Sequence, residues 1–347
     1  MNCVSLFSGC GGLDLGAEQA GFKIVLANDN EKLCQESSKV NFPQTEFIHG
    51  SVTNLTSNVL KNKLLGVNVD LLIGGPPCPS FSKSRFYLKE KKRGMSDPIG
   101  HETVHGYLSV LEDLNPTSFL FENVNGFSFK VHSEAFDYVF QRAKELGYNC
   151  SWKVVNAADY GVPQMRKRFI LVGVKTEEPF IFPDSTHCDP KLIDSLNSKK
   201  LKPWATTGEA INDLDTEENA NDKGHFAGGK HHDLLCKVPP GENYLFFTQK
   251  RGHPNPIFEW RSRYWSFLLK LSPSLPSWTI QAKRSNNMGP LHWRNRILRI
   301  EEVKRLQSFP DNWFLAGTIE QQWRQVGNAV PPPLAKALAR AIMEHIS

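Results

Sequence analysis

A chain of 347 residues, 40% hydrophobic and 22% charged, can build one large domain or two ordinary ones. No apolar run approaches the ~18 residues that span a bilayer. Met1-Asn2-Cys3-Val4-Ser5-Leu6-Phe7 carries neither a basic leader nor a cleavage site, so a cytoplasmic protein without a membrane partner is expected. Seven scattered cysteines with no CxxC pair argue against a disulfide framework or a metal site, and the net charge of +5 permits a polyanionic partner without requiring one.

Taken in chain order, Cys3-Val4-Ser5-Leu6-Phe7 reads as a strand, followed by a glycine-rich turn and a helix from about Asp14 to Ala20. Lys23 to Ala27 is the next strand and Glu31 to Val40 the next helix. Asp70 to Ile73 and Ser118 to Phe121 are further strands, Glu134 to Leu146 is a helix ended by Gly147, and Phe169 to Val174 is a late strand. This alternation predicts an α/β, doubly wound, mostly parallel sheet. After about Thr176 the chain turns rich in Pro, Asn, Gly and His, which predicts a second, smaller and irregular domain with a surface loop over Asn212 to Asn221. An amphipathic helix, Leu334 to Ile346, follows the Pro331-Pro332-Pro333 break.

Five constellations could carry chemistry. Phe7-Ser8-Gly9-Cys10-Gly11-Gly12-Leu13-Asp14-Leu15-Gly16 sits between the first strand and helix, where glycines let a ligand approach the backbone; Asp29, twenty residues on, is placed to hold a ribose diol. A tight turn with no ligand is the plain alternative, and the pattern is not the strict GxGxxG of dinucleotide binders. Gly74-Gly75-Pro76-Pro77-Cys78-Pro79-Ser80 stops a strand abruptly and fixes a thiol there, as a nucleophile or as a small buried hydrophobe. Glu122, at the end of an apolar strand, is either a hydrogen-bonded structural acid or a general acid with a raised pKa. Arg166 and Arg168 point to one side of an extended segment and could clamp a phosphate or a base carbonyl, or form a solvated basic edge. Near the C-terminus, Glu302 to Asp311 reads as a packing helix with a Pro turn, and Asn328 as a ligand contact or a turn former.

In this order, GPPCPSFS, ENV, QMRKR, RLQSFPD and GNAVP resemble the motifs of the DNA cytosine-5 methyltransferases, over nearly the whole chain outside residues 177–280. The likeness is to bacterial or phage modification enzymes, without the long N-terminal extension of maintenance enzymes. It implies a SAM-dependent methyltransferase (Rossmann-like) mixed sheet, with residues 1–180 and 314–347 as catalytic domain, 181–295 as target-recognition domain and 296–313 as hinge. S-adenosyl-L-methionine would lie against Phe7, Ser8, Gly9, Cys10, Gly11, Gly12, Leu13, Asp29, Asn30, Ser51, Val52, Gly75, Pro77, Asn328 and Val330. The target cytosine would leave the duplex. Cys78 would attack its C6, Glu122 would protonate N3, and Arg168, supported by Arg166, would contact the base carbonyl.

Double-stranded DNA is the implied partner. Ser80, Ser82, Lys83, Arg85, Arg93, Gln164, Lys250, Arg251, Arg261 and Arg263 are the implied DNA contacts, and Phe81 to Gly100 a loop closing on phosphates. His231-His232 is assigned to the surface or DNA rather than a metal. A monomer is expected, active without any cognate restriction endonuclease. Two positions depart from the family pattern. Ser51 stands where an acid often meets the adenine amino group, and Asn30 stands where a stacking Trp is common. The same motifs occur in tRNA cytosine-5 methyltransferases, and a catalytically silent DNA-binding relative or an NAD-dependent oxidoreductase on a similar sheet are further alternatives. The long variable region favours duplex DNA, and the presence of Cys78, Glu122 and Arg168 favours activity.

Overall fold

The computed structural model describes residues 1–77, 97–193, 201–216 and 225–347. Strands and helices alternate as the apolar runs require: β1 (Asn2–Leu6), α1 (Gly12–Ala20), β2 (Lys23–Asp29), α2 (Lys32–Asn41), β3 (Glu46–His49), α3 (Ser57–Leu64), β4 (Leu71–Gly74), α4 (Pro98–Leu114), β5 (Ser118–Val124), α5 (Ser133–Glu145), β6 (Asn149–Asn156), β7 (Gln164–Met165) and β8 (Lys167–Val174). Seven of these strands form one sheet in the order β3-β2-β1-β4-β5-β8-β6. β1 to β5 pair in parallel, while β8 runs antiparallel to both β5 and β6, giving the mixed α/β sheet expected. The chain first winds outward from β1 to β3, then returns to β4 on the other side. β1 and β4 therefore flank the switch point, where ligands settle at the C-terminal ends of strands.

Both faces of the sheet are covered, so its central strands are apolar almost throughout. One core joins Val4, Leu6 and Phe121 to Leu60, Tyr107, Val139 and Phe169 beneath α3, α4 and α5. The other joins Ile24, Ile73 and Val172 to Leu13 and Ala17 of α1 and to Leu334, Leu338 and Ile342 of the C-terminal helix. Gly16 makes the second face close: a Cβ there would lie 2.3 Å from that of Ala335.

Beyond β8 the described chain has its own core, from Ile211, Leu235, Phe247 and Leu268 to Leu298, Val303 and Val326, which also takes in Cys10 and Phe42. Its regular elements are short: α6 (Thr207–Ile211), α7 (His232–Lys237), α8 (Ile300–Leu306) and α9 (Ile319–Asn328), before α10 (Pro332–Ile346) returns to the sheet. Polar crosslinks compensate. Arg296 forms a bidentate pair with buried Glu302 (2.5 and 2.8 Å), and burial pushes neighbouring His292 down to about 3, so it stays neutral.

Several expectations need amending. β5 continues past Phe121, so Glu122 lies within the strand rather than at its end. The loop expected up to Gly100 gives way at Asp97, whose Oδ1 accepts from the Ile99 amide and caps α4, with Pro98 in the first turn; residues 81–96 lie outside the described residues. The surface loop over Asn212 to Asn221 begins instead as a 3₁₀ turn, and Asp215 is drawn inward by Trp293 Nε1 (3.1 Å) and Arg294 Nε (2.6 Å); residues 217–221 are outside the description. Among the described residues no helix is long and apolar enough to cross a membrane.

Candidate active site

The turn after β1 is pinned from several sides. Phe7 and Gly9 adopt positive φ, and the Ser8 amide donates to the Asn28 carbonyl. Buried Asp14 accepts hydroxyl protons from Ser5 (2.5 Å) and Ser8. Burial raises its pKa to about 6, and the two hydroxyls hold it from rising further. Gly11 fits against Phe42, and Gly12 lies against the Val330 carbonyl, 2.2 Å from where a Cβ would stand. Cys10 faces inward: its carbonyl takes Trp313 Nε1 (3.0 Å), and burial pushes its thiol far up. Leu13 and Val330 are core residues, while Asn328 is exposed at the C-terminus of α9.

At the end of β2, Asp29 accepts the amides of Gly9 (2.9 Å) and Glu31 (2.9 Å). Burial raises its pKa against the pull of these amides. The Cys34 thiol adds a third hydrogen bond to the carboxylate. Asn30 is exposed, its carbonyl bonded to His49 Nε2, and presents no ring for stacking. Past β3, Val52 is buried in the core, so only its main chain can face a ligand.

At the end of β4 the glycine is required: a Cβ at Gly75 would sit 2.6 Å from Glu122 Oε2. Asn123 Nδ2 donates to the Pro76 carbonyl (3.2 Å), and Asn123 Oδ1 accepts from the Val124 amide (2.9 Å), tying the Pro76–Pro77 turn to β5. Glu122 Oε1 lies 2.8 Å from Arg168 Nε, both side chains nearly buried. Burial raises the Glu122 pKa, opposed by Arg168 and more weakly by Arg166. Arg168 faces Glu122 because antiparallel β8 sets Arg168 opposite Val124 and Ile170 opposite Glu122. Cys78, Ser80, Ser82, Lys83, Arg85 and Arg93 lie outside the described residues.

Two expected contacts point elsewhere. Gln164, expected at DNA, is fully buried: its amide donates to Leu306 O and Gln307 Oε1 and accepts from the Ile280 amide, all at 3.0 Å. A side chain whose polar atoms are all spent inside cannot read DNA. Arg166, expected to support Arg168, is 1% exposed and donates to the Ile280 (3.1 Å) and Gly327 (2.8 Å) carbonyls. It braces β7 and the end of α9, and its charge lowers the Glu122 pKa.

Lys250, Arg251, Arg261 and Arg263 are exposed, as a duplex-facing role requires. Lys250 covers the Trp260 ring, and Arg251 and Arg261 pair loosely with Glu242 and Glu259. His231 packs on Phe267, and His232 stacks on Phe226 and bonds the Ala227 carbonyl. Among the described residues no cluster of metal-ligating side chains occurs. Sequence alone gives Asp14 and Asn123 no role of their own; Asp14 falls in the first turn of α1 and Asn123 next to the end of β5.

A doubly wound sheet carries, at the C-terminal ends of its strands, a held carboxylate on β2 and a buried Glu–Arg pair beside a Pro-Pro turn, an arrangement of the α/β class. Residues 1–344 match the model of the C-5 cytosine-specific DNA methylases, and the chain belongs to that family. It is 36% identical to the type II methyltransferase M.SacI of Streptomyces achromogenes, over 99% of this chain and 93% of that one. It is 32% identical to M.FnuDI of Fusobacterium nucleatum, over 100% and 95%. The fold matches that of Spodoptera frugiperda DNMT2, with a TM-score of 0.62 at 18% identity and 99% of both chains covered. The reaction is therefore methylation of DNA cytosine at C5.

Proposed function

We propose that the protein methylates cytosine in a specific duplex sequence through a covalent Cys78–C6 adduct, as the modification half of a restriction-modification system, with S-adenosyl-L-methionine as methyl donor. The observation that carries this reading is the Glu122–Arg168 pair set against the Gly75–Pro76–Pro77 turn. The donor fits the residues present. The nearest atom to a Cβ at Gly9 would be the Phe7 carbonyl at 3.9 Å, which leaves that side of the turn open, and Asp29 offers two held oxygens to a ribose diol. When bound there, the donor supplies an electrophilic methyl group for C5.

This chain's own residues do the rest. Aromatic C6 is a poor electrophile, so the Cys78 thiolate adds to it as Glu122 delivers a proton to N3, which leaves C5 electron-rich. A raised Glu122 pKa keeps that proton available. Arg168 holds the Glu122 carboxyl and offers its remaining N–H groups to the base carbonyl. After C5 is alkylated, a base removes the C5 proton, the C6–S bond breaks, and Glu122 recovers its proton. Residues 181–295 carry target recognition, 296–313 act as the hinge, and Lys250, Arg251, Arg261 and Arg263 meet the duplex. The protein works as a cytoplasmic monomer, with no endonuclease needed for methyl transfer.

The test is a duplex carrying 5-fluorocytosine at the target site, since fluorine blocks the elimination. A complex that survives denaturant, absent in Cys78→Ser, is expected. Methyl incorporation into tRNA alone, or equal methylation by Cys78→Ser, would sink the reading.

A further inference from the structure

The edge of the sheet beside β3 holds a carboxylate that no motif predicts. Ser51, one residue beyond the Gly50 that follows β3, caps a short 3₁₀ turn over Val52–Asn54. Its hydroxyl has one proton and two lone pairs. Glu102 Oε1 lies 2.9 Å away and, as a carboxylate, can only accept, so the Ser51 proton goes there. The Thr53 amide (3.3 Å) and Thr53 Oγ1 (2.9 Å) then occupy the lone pairs. Ser51 is therefore saturated and has nothing left to accept a ligand's N–H.

Glu102 itself comes from α4, and the approach of that helix is explicit in the packing. A Cβ at Gly106 would lie 2.3 Å from Val52 Cγ1, so the absence of a side chain lets α4 rest on the 3₁₀ turn. Glu102 lies four residues earlier, on the same helix face, and is thereby brought over Ser51. It is exposed and has no cation partner among the described residues, and Oε2 makes no hydrogen bond there. The neighbouring strand end is Asp29, whose carbonyl accepts the Gly50 amide, so the ribose acid and the β3 turn are adjoining parts of one edge.

We infer that Glu102 is the residue that selects the purine of the methyl donor, its Oε2 accepting a hydrogen bond from the exocyclic amino group of adenine while Ser51 holds Oε1. This deepens the proposed use of S-adenosylmethionine and rests on it. The group that fits a lone carboxylate acceptor is an N–H donor; a purine with a carbonyl at that position meets oxygen against oxygen and is rejected. Ser51 is a positioning residue, and the family acid it lacks is supplied from another element.

The experiment measures calorimetric affinities of S-adenosyl-L-homocysteine and S-inosyl-L-homocysteine, which differ at purine C6, an amino group against a carbonyl, and with it at N1, a bare acceptor against an N–H. The wild-type protein should prefer the adenosyl compound by about tenfold or more. Glu102→Gln, whose amide can donate to the carbonyl, should weaken the adenosyl compound about tenfold, strengthen the inosyl one, and so collapse the preference. Glu102→Asp keeps a carboxylate and should keep the preference at lower affinity, which separates recognition from a damaged fold. Ser51→Ala should narrow the preference by a smaller factor. If Glu102→Gln binds both compounds with the wild-type ratio, or weakens both equally, the inference is wrong while the donor assignment stands. Wild-type protein that binds neither compound would instead overturn the donor assignment, and the inference with it.

Discussion

The sheet edge and the stretch from Lys250 to Arg263 are built on opposite principles. At the edge, Asp14, Asp29, Glu122, Asn123 and Arg168 are wholly or mostly buried, and each is fixed by a partner from the backbone or from a neighbouring strand. In the other stretch the cations are exposed, held by a ring face or by a loose surface pair of 3.4 Å. A site that serves one unchanging chemistry gains from groups that need no reorganisation. A surface that grips a duplex backbone can leave its charges in water, where each contributes little to stability.

If that contrast is right, substitutions at the edge should be severe and substitutions in the stretch mild. Glu122→Gln should lower kcat/KM for methyl transfer by roughly 10²–10⁴ with little change in duplex affinity. The wild-type rate should fall as rising pH deprotonates Glu122, whose pKa burial has raised, and the variant should lack that limb. Retention of near wild-type rate would remove Glu122 from the chemistry. Arg166→Met leaves the Ile280 and Gly327 carbonyls without their donor and should destabilise the fold by about 3 kcal/mol. A denaturant curve would read that loss, where Lys250→Ala should stay within about 0.5 kcal/mol.

Asp14 gives a pH test of the same contrast. Its folded pKa of about 6 lies above the ordinary 3.8. Between those values the unfolded chain ionises first, so this group's contribution to stability is best below the lower value and declines as pH rises through the window. The decline amounts to about 3 kcal/mol at most and should vanish in Asp14→Asn. Melting curves of both proteins from pH 4 to 7 would check it, and parallel curves would refute it. Smallest are the surface cations. Alanine at Lys250, Arg251, Arg261 or Arg263 should each weaken duplex binding a few-fold and lower the salt slope by about one. Titrations at several salt concentrations measure this, and a salt slope unchanged by all four would take the stretch off the DNA.

The sheet was legible because β1, β4 and β5 are apolar runs followed by turn formers, and the residues proposed for the chemistry fall at or near their ends. β3, with two exposed and two half-buried residues, and β6, a polar edge strand, gave no comparable signal. Gln164 and Arg166 misled for a physical reason. Basic and amide side chains beside a motif look like ligands, and only the fold brings Ile280, Leu306 and Gly327, over a hundred residues away, to consume them. Glu102 was invisible for the converse reason: its meaning depends on Gly106 letting two elements touch.

The contact between Gly12 and the Val330 carbonyl, with Trp313 bonded to Cys10, has a consequence in time. The turn after β1 leaves the ribosome 303 residues ahead of the Trp313 that bonds to it. At roughly 5–20 residues per second, the turn waits on the order of half a minute for the segment that completes it. A nascent chain interrupted before Trp313 would carry the Pro76-Pro77 turn and the Glu122–Arg168 pair but not the wall of the turn after β1, and on the proposed reading it would not methylate DNA until Trp313 and Val330 had been made.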